Sequence, residues 1–172
     1  MPQPDLGPRL MPSLIDRLFD PDLIGRKDVP GYSEREMIRA VRADLEDLLN
    51  TRRTVLDVPP ECELTTRSVL CYGLPDTVSD LCQGLRRFAP PGSNSPVREE
   101  DVARGIERTI TTFEPRLKNV RVKMLGGVGV DKTVRFHIDA ALNVDPSTDC
   151  GFETVVELIS GRTRVKTDGG GA

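Results

Sequence analysis

Hydrophobic positions keep a helical spacing through the first part of the chain and an alternating one through the last part, and the change falls near residue 115. Met37, Ile38, Val41, Leu45, Leu48 and Leu49 mark one face of a helix predicted over 33–49. A capping box opens it: the Ser33 hydroxyl accepts from the amide of Glu36, whose side chain reaches back. Its other face, with Arg35, Arg39, Arg42, Glu46 and Asp47, reads as solvated. A second helix starts at Thr77 with Val78, Leu81, Cys82, Leu85 and Phe88 in register, and Pro90-Pro91-Gly92 stops it. A third starts at Ser95-Pro96, runs along Val102, Ile106, Ile110 and Phe113, and ends at Glu114-Pro115-Arg116.

Beyond that stop the period becomes two. Val120, Val122 and Met124 alternate with Arg121 and Lys123; Val134, Phe136, Ile138, Ala140, Leu142 and Val144 alternate with Arg135, His137 and Asp139. Residues 152–159 form a third strand, and 161–165 extend or turn it. Gly126-Gly127-Val128-Gly129 joins strand to strand, so it reads as a hairpin turn and not as a phosphate loop. The predicted class is therefore α+β, with N-terminal helices packed on a C-terminal three-stranded antiparallel sheet whose open edge can accept a strand from another chain. One domain over 13–165 is expected, between a proline-rich disordered tail at 1–12 and a flexible tail at 166–172.

Two connecting segments stand apart. Ser13 to Phe19 carries Leu14, Ile15, Leu18 and Phe19 on one side, too few residues for a lone helix, so these side chains need a surface to dock on, and a partner is the favoured one. Residues 68–76 are unusually apolar for a connection and are expected to lie pinned against the core.

Charge and chemistry narrow the function. With 27 acidic against 24 basic residues and no long basic run, nucleic acid is not an expected partner. No stretch is long enough to span a membrane and the N-terminus lacks an apolar signal core, so a cytoplasmic protein without direct membrane insertion is expected. Cys62, Cys71, Cys82 and Cys150 have no zinc-ligand spacing, and the lone His137 cannot complete a metal set. No nucleophile, base and orienting residue assemble, so the expectation is no enzyme, no catalytic residue, no metal and no cofactor.

At the helix-to-strand change, Glu114 and Arg116 flank Pro115. In an extended chain they would point to one side roughly 6.5 Å apart, too far for an easy mutual ion pair and suited to gripping a partner. The segment 14–18, the helix exit 44–53, Ser68-Val69-Leu70-Cys71-Tyr72-Gly73-Leu74-Pro75-Asp76 and Phe113-Glu114-Pro115-Arg116-Leu117 occur in that order. Together they resemble the TssE family of type VI secretion baseplate subunits, which is similar to a wedge protein of contractile phage tails. Cys71 departs from the asparagine expected in many relatives. The resemblance covers about residues 13 to 165 and implies a cytoplasmic scaffold that joins wedge subunits such as TssF and TssG to a contractile sheath of TssB and TssC. It implies sheath binding by Glu114, Pro115 and Arg116, beside a sheet edge that supplies backbone pairing, and a wedge contact by Leu14, Ile15 and Leu18. The same family carries a lysozyme-like label, which makes a peptidoglycan hydrolase using Glu114 the alternative.

Overall fold

The computed structural model describes residues 11–19, 31–53, 58, 61–74, 99–125, 133–144, 147–157 and 160–167. Its helices are α1 (Leu14–Phe19), α2 (Glu34–Asn50), α3 (Glu63–Thr66) and α4 (Glu99–Phe113), with a single 3-10 turn at Val69–Cys71. The strands are β1 (Leu117–Met124), β2 (Thr133–Leu142), β3 (Asp149–Glu157) and β4 (Arg162–Thr167). They pair antiparallel in the order β1-β2-β3-β4. The α+β class stands, but the sheet has four strands where three were expected. The Gly161 region both turns and continues: Gly161 takes a positive φ of 67°, and the chain returns alongside β3 through Lys166 and Thr167. The helix expected from Thr77 and the turn at Gly126-Gly127 lie outside the described residues.

The capping box at Ser33 is formed as expected, with Ser33 and Glu36 each bonding the other's amide. α2 buries Met37, Val41, Leu45, Leu48 and Leu49, and α4 buries Val102, Ala103, Ile106 and Ile110. Both helices close over one sheet face, where Val122, Phe136, Ile138, Phe152 and Val165 are buried. Burying each such side chain is worth about 1.5–3 kcal/mol, so this single cluster holds the helical and strand halves together. Burial pushes the Cys150 thiol up to about 11, in keeping with a small core hydrophobe. Cys71 is also buried, whereas Cys62 is exposed.

The two sheet edges differ. On β4 the outward groups of Thr163 bond the Asn50 amide in both directions, Thr163 N to Oδ1 at 2.8 Å and Asn50 Nδ2 to Thr163 O at 2.9 Å. One step on, Arg42 Nη1 donates to Val165 O at 3.1 Å, and Val165 N donates to Glu46 Oε2 at 3.4 Å. On β1, Val122 N points outward and donates to Glu107 Oε1 of α4 at 2.9 Å. Alternation then turns both backbone groups of Met124 to the same edge, consistent with Leu125, of opposite phase, donating inward to Arg135 O. No described residue bonds the outward groups of Met124.

β1 also carries an irregularity. Its register with β2 shifts between Lys118 and Arg121, where Asn119 takes a positive φ of 55°, a conformation asparagine tolerates better than most residues. The bulge twists the strand directly after the turn that precedes it.

Candidate interface around Glu114 and Arg116

α4 ends when Glu114 N donates to Ile110 O at 2.8 Å, and the chain then turns at once, with Leu117 N donating to Glu114 O at 3.1 Å. Pro115 sits at the second position of this turn, where its fixed φ is favourable and no amide donor is needed. The segment is therefore not extended, which overturns the spacing argument for Glu114 and Arg116. The turn folds Arg116 back over Glu114: Arg116 N and Nε both donate to Glu114 Oε1, at 3.2 and 2.7 Å, and Arg116 Nη2 donates to Glu114 Oε2. The two charges satisfy each other instead of standing apart.

A third residue completes the cluster. Asp44 of α2 accepts from Arg116 Nη2, so one guanidinium ties the end of α4 to the middle of α2. Burial works against the charge on Arg116. Hydrogen bonding and attraction from Glu114, then from Asp44, more than offset it, so the pKa stands above the ordinary arginine value. Exposure falls unevenly, with 5% of the Glu114 side chain accessible, 25% of Arg116 and 42% of Asp44. Arg116 Nη1 is buried and finds no acceptor among the described residues. Asn143, past the end of β2, donates its amide to Arg116 O at 2.7 Å and its side chain to Pro115 O at 3.4 Å.

The apolar connection joins the same place. Tyr72 meets the edge of Phe113 at 5.3 Å between ring centroids. Burial raises the pKa of its hydroxyl, and Asp47, Asp44 and Glu114 raise it further. Leu74 N donates to Thr51 O at 2.9 Å and Arg53 N to Leu74 O at 2.7 Å, a parallel bridge that locks the segment to the exit of α2. Cys71 and Leu74 are buried, as expected of a segment pinned to the core. Val69 and Leu70, however, are 84% and 52% exposed, so these two apolar side chains face outward. A 3-10 helix has three residues per turn, so with Cys71 directed at the core both Val69 and Leu70 are turned away from it.

Three of the four ordered segments thus meet in space, through Asp44 and Thr51, through Tyr72 and Leu74, and through Phe113, Glu114 and Arg116. The fourth forms α1, where Ser13 and Asp16 bond each other's amides and Ile15, Leu18 and Phe19 stand 64%, 64% and 82% exposed. The side chain of Leu14 lies outside the described residues. Asp44 and Asn143 were not singled out as site residues by sequence reasoning. Asp44 carries a weak signal, a carboxylate one place before a core leucine, and Asn143 carries none beyond its place at a strand end.

Residues 35–147 match the family described as baseplate wedge protein gp25. The chain belongs to that family. TssE belongs to the same gp25 wedge family, and membership gives this chain a structural role in a phage-tail-like baseplate. The matched span holds α2, the whole Glu114 cluster, β1 and β2, and leaves out α1, β3 and β4. No curated protein and no solved structure matches the chain. Among the described residues no group of histidine, cysteine and carboxylate side chains could hold a metal ion, and no helix is long and apolar enough to cross a membrane.

Proposed function

We propose that this gp25-family subunit works in the cytoplasm as a TssE-type part of a type VI secretion baseplate, joining wedge subunits of the TssF and TssG kind to the first ring of a TssB and TssC sheath. The observation that carries this reading is the position of the Glu114-Pro115-Arg116 turn. It leads directly into β1, whose outward groups at Met124 have no partner among the described residues. A sheath strand added there gains backbone hydrogen bonds that do not depend on side-chain identity. At the opposite end of β1, Arg116 and Asp44 present the accessible charges, which would set the register of a strand lying along that edge. Glu114, buried beneath them, acts by holding the guanidinium in place, and Pro115 fixes the turn. The exposed Ile15, Leu18 and Phe19 of α1 supply a second, apolar contact for the wedge.

The hydrolase alternative draws no support from the site. Both Glu114 oxygens are engaged by Arg116, which leaves no free carboxyl to protonate a leaving sugar oxygen. We read the protein as a structural part and not as an enzyme.

Met124→Pro tests the docking edge. The ring removes the outward amide of an edge strand, where proline is tolerated, and Met124→Ala controls for the lost packing. Folded Met124→Pro protein should fail to support fluorescent sheath assembly in cells that Met124→Ala restores. Normal sheaths with folded Met124→Pro would rule out strand addition at β1.

A further inference from the structure

Arg42 and Glu46 were expected to be no more than part of a solvated helix face, but together with Asn50 they stand at intervals of four along α2 and meet β4. Between them they bond the outward amide and carbonyl of Thr163 and of Val165, four backbone groups in succession. Asn50 supplies both a donor and an acceptor to one residue, as a neighbouring strand would. Glu46 and Arg42 divide the same pair of roles at the next outward residue, and they are bonded to each other at 3.1 Å. The α2 side chains therefore stand in for a fifth strand.

We propose that this row is an edge seal that keeps β4 from pairing with the β4 strand of a second copy of this chain, so that strand addition is directed to β1. An unpaired edge strand is a template for any extended backbone, and the nearest supply of a matching strand is another copy at the crowded site of assembly. Two β4 strands related by a two-fold axis would pair antiparallel through Thr163 and Val165, which are the groups now occupied. A second deterrent lies on the open sheet face, where Arg162, Arg164 and Lys166 are exposed. In a β4 to β4 pair these cations would be brought opposite one another, and like charges so placed repel. The contrast with β1 gives the seal its meaning. Val122 N has a side-chain partner there, while Met124 offers both its outward groups.

The inference rests on the reading of β1 as the docking edge, because it explains why the other edge is shut. Its test nevertheless uses the isolated full chain and is indifferent to the sheath. Arg42→Ala, Glu46→Ala and Asn50→Ala are combined, since alanine preserves the helix, and the variant is compared with wild type by sedimentation velocity over a concentration series and by site-resolved amide exchange. Dilute variant should exchange Thr163 and Val165 about tenfold faster than wild type. At high concentration it should form a dimer that wild type does not, with the same two amides protected again and with association strengthened by added salt, which screens the facing cations. A variant that stays monomeric at every concentration would overturn the proposal and leave the row as a helix anchor only. Should the triple variant fail to fold, Asn50→Ala alone decides: a dimer above the wild-type level supports the seal, and wild-type sedimentation refutes it. Loss of sheath assembly by Met124→Pro bears on β1 and leaves this result untouched.

Discussion

Arg116→Ala is expected to lower the unfolding free energy by about 2–4 kcal/mol, with a fall in the urea midpoint as the measurement. The guanidinium makes two bonds to Glu114 and one to Asp44, and its removal leaves a carboxylate of which 5% is accessible with only the backbone amide of residue 116 as a donor from that residue. Breaking a buried pair from one side costs about 3–5 kcal/mol, and the partial exposure of Arg116 admits water and reduces that figure. Glu114→Gln keeps shape and most hydrogen bonds and should cost less. Asp44→Ala, at the exposed rim, should cost under about 1 kcal/mol. Combining Arg116→Ala with Glu114→Gln should fall well short of the sum of the two, because the second change relieves the stranded charge left by the first. Additive losses would mean that Glu114 and Arg116 do not depend on each other. A consequence for any assay in cells is that loss of sheath assembly by Arg116→Ala reports docking only where the variant remains folded at the working temperature.

Gly73→Ala is expected to be comparably severe for a different reason. Gly73 holds φ at +98°, and a Cβ there would stand 2.3 Å from the Thr51 carbonyl oxygen and 2.8 Å from its carbon. The positive φ alone costs a non-glycine residue about 1–3 kcal/mol. The obstructing atom is backbone, and the same oxygen accepts from Leu74 N, so relief requires breaking the bridge that ties the connection to α2. Adding about 1 kcal/mol for that bond gives a total of about 2–4 kcal/mol, or a fall in Tm of roughly 5–15 °C. Tyr72 is the next residue, so its edge contact with Phe113 should loosen as well, visible as a change in tyrosine near-ultraviolet circular dichroism. An unchanged Tm would show that the Thr51 to Leu74 bridge is not a structural tie.

Much of this fold was legible because its signals are local. Ser33 and Glu36 are three residues apart, and the Met37 to Leu49 stripe and the Val134 to Leu142 alternation each declare their own period. β4 was legible only in part. Arg162, Arg164 and Lys166 alternate with Thr163 and Val165, but one aliphatic side chain among five residues is a weak strand signal, and the burial of Thr163 depends on α2. The Glu114 to Arg116 pair was misjudged from an assumed conformation. Proline after the helix end favours a tight turn as much as an extended strand, and the turn reverses the geometry. The pairing of Asp44 with Arg116 and the contacts of α2 with β4 could not be read at all, since Arg116 lies 72 residues from Asp44 and Val165 lies 123 from Arg42. Such contacts follow from how helices settle on a finished sheet, which no periodicity within either partner records.

The most direct measurement of the central claim is a cryo-electron microscopy reconstruction of the baseplate with its first sheath ring, containing this subunit. The expected result is a sheath strand hydrogen-bonded to the outer edge of β1 at Met124, a sheath side chain against Arg116 and Asp44, Glu114 still bonded beneath, and no strand on β4. A sheath that touches the subunit elsewhere, or a strand seated on β4 with β1 bare, would contradict it.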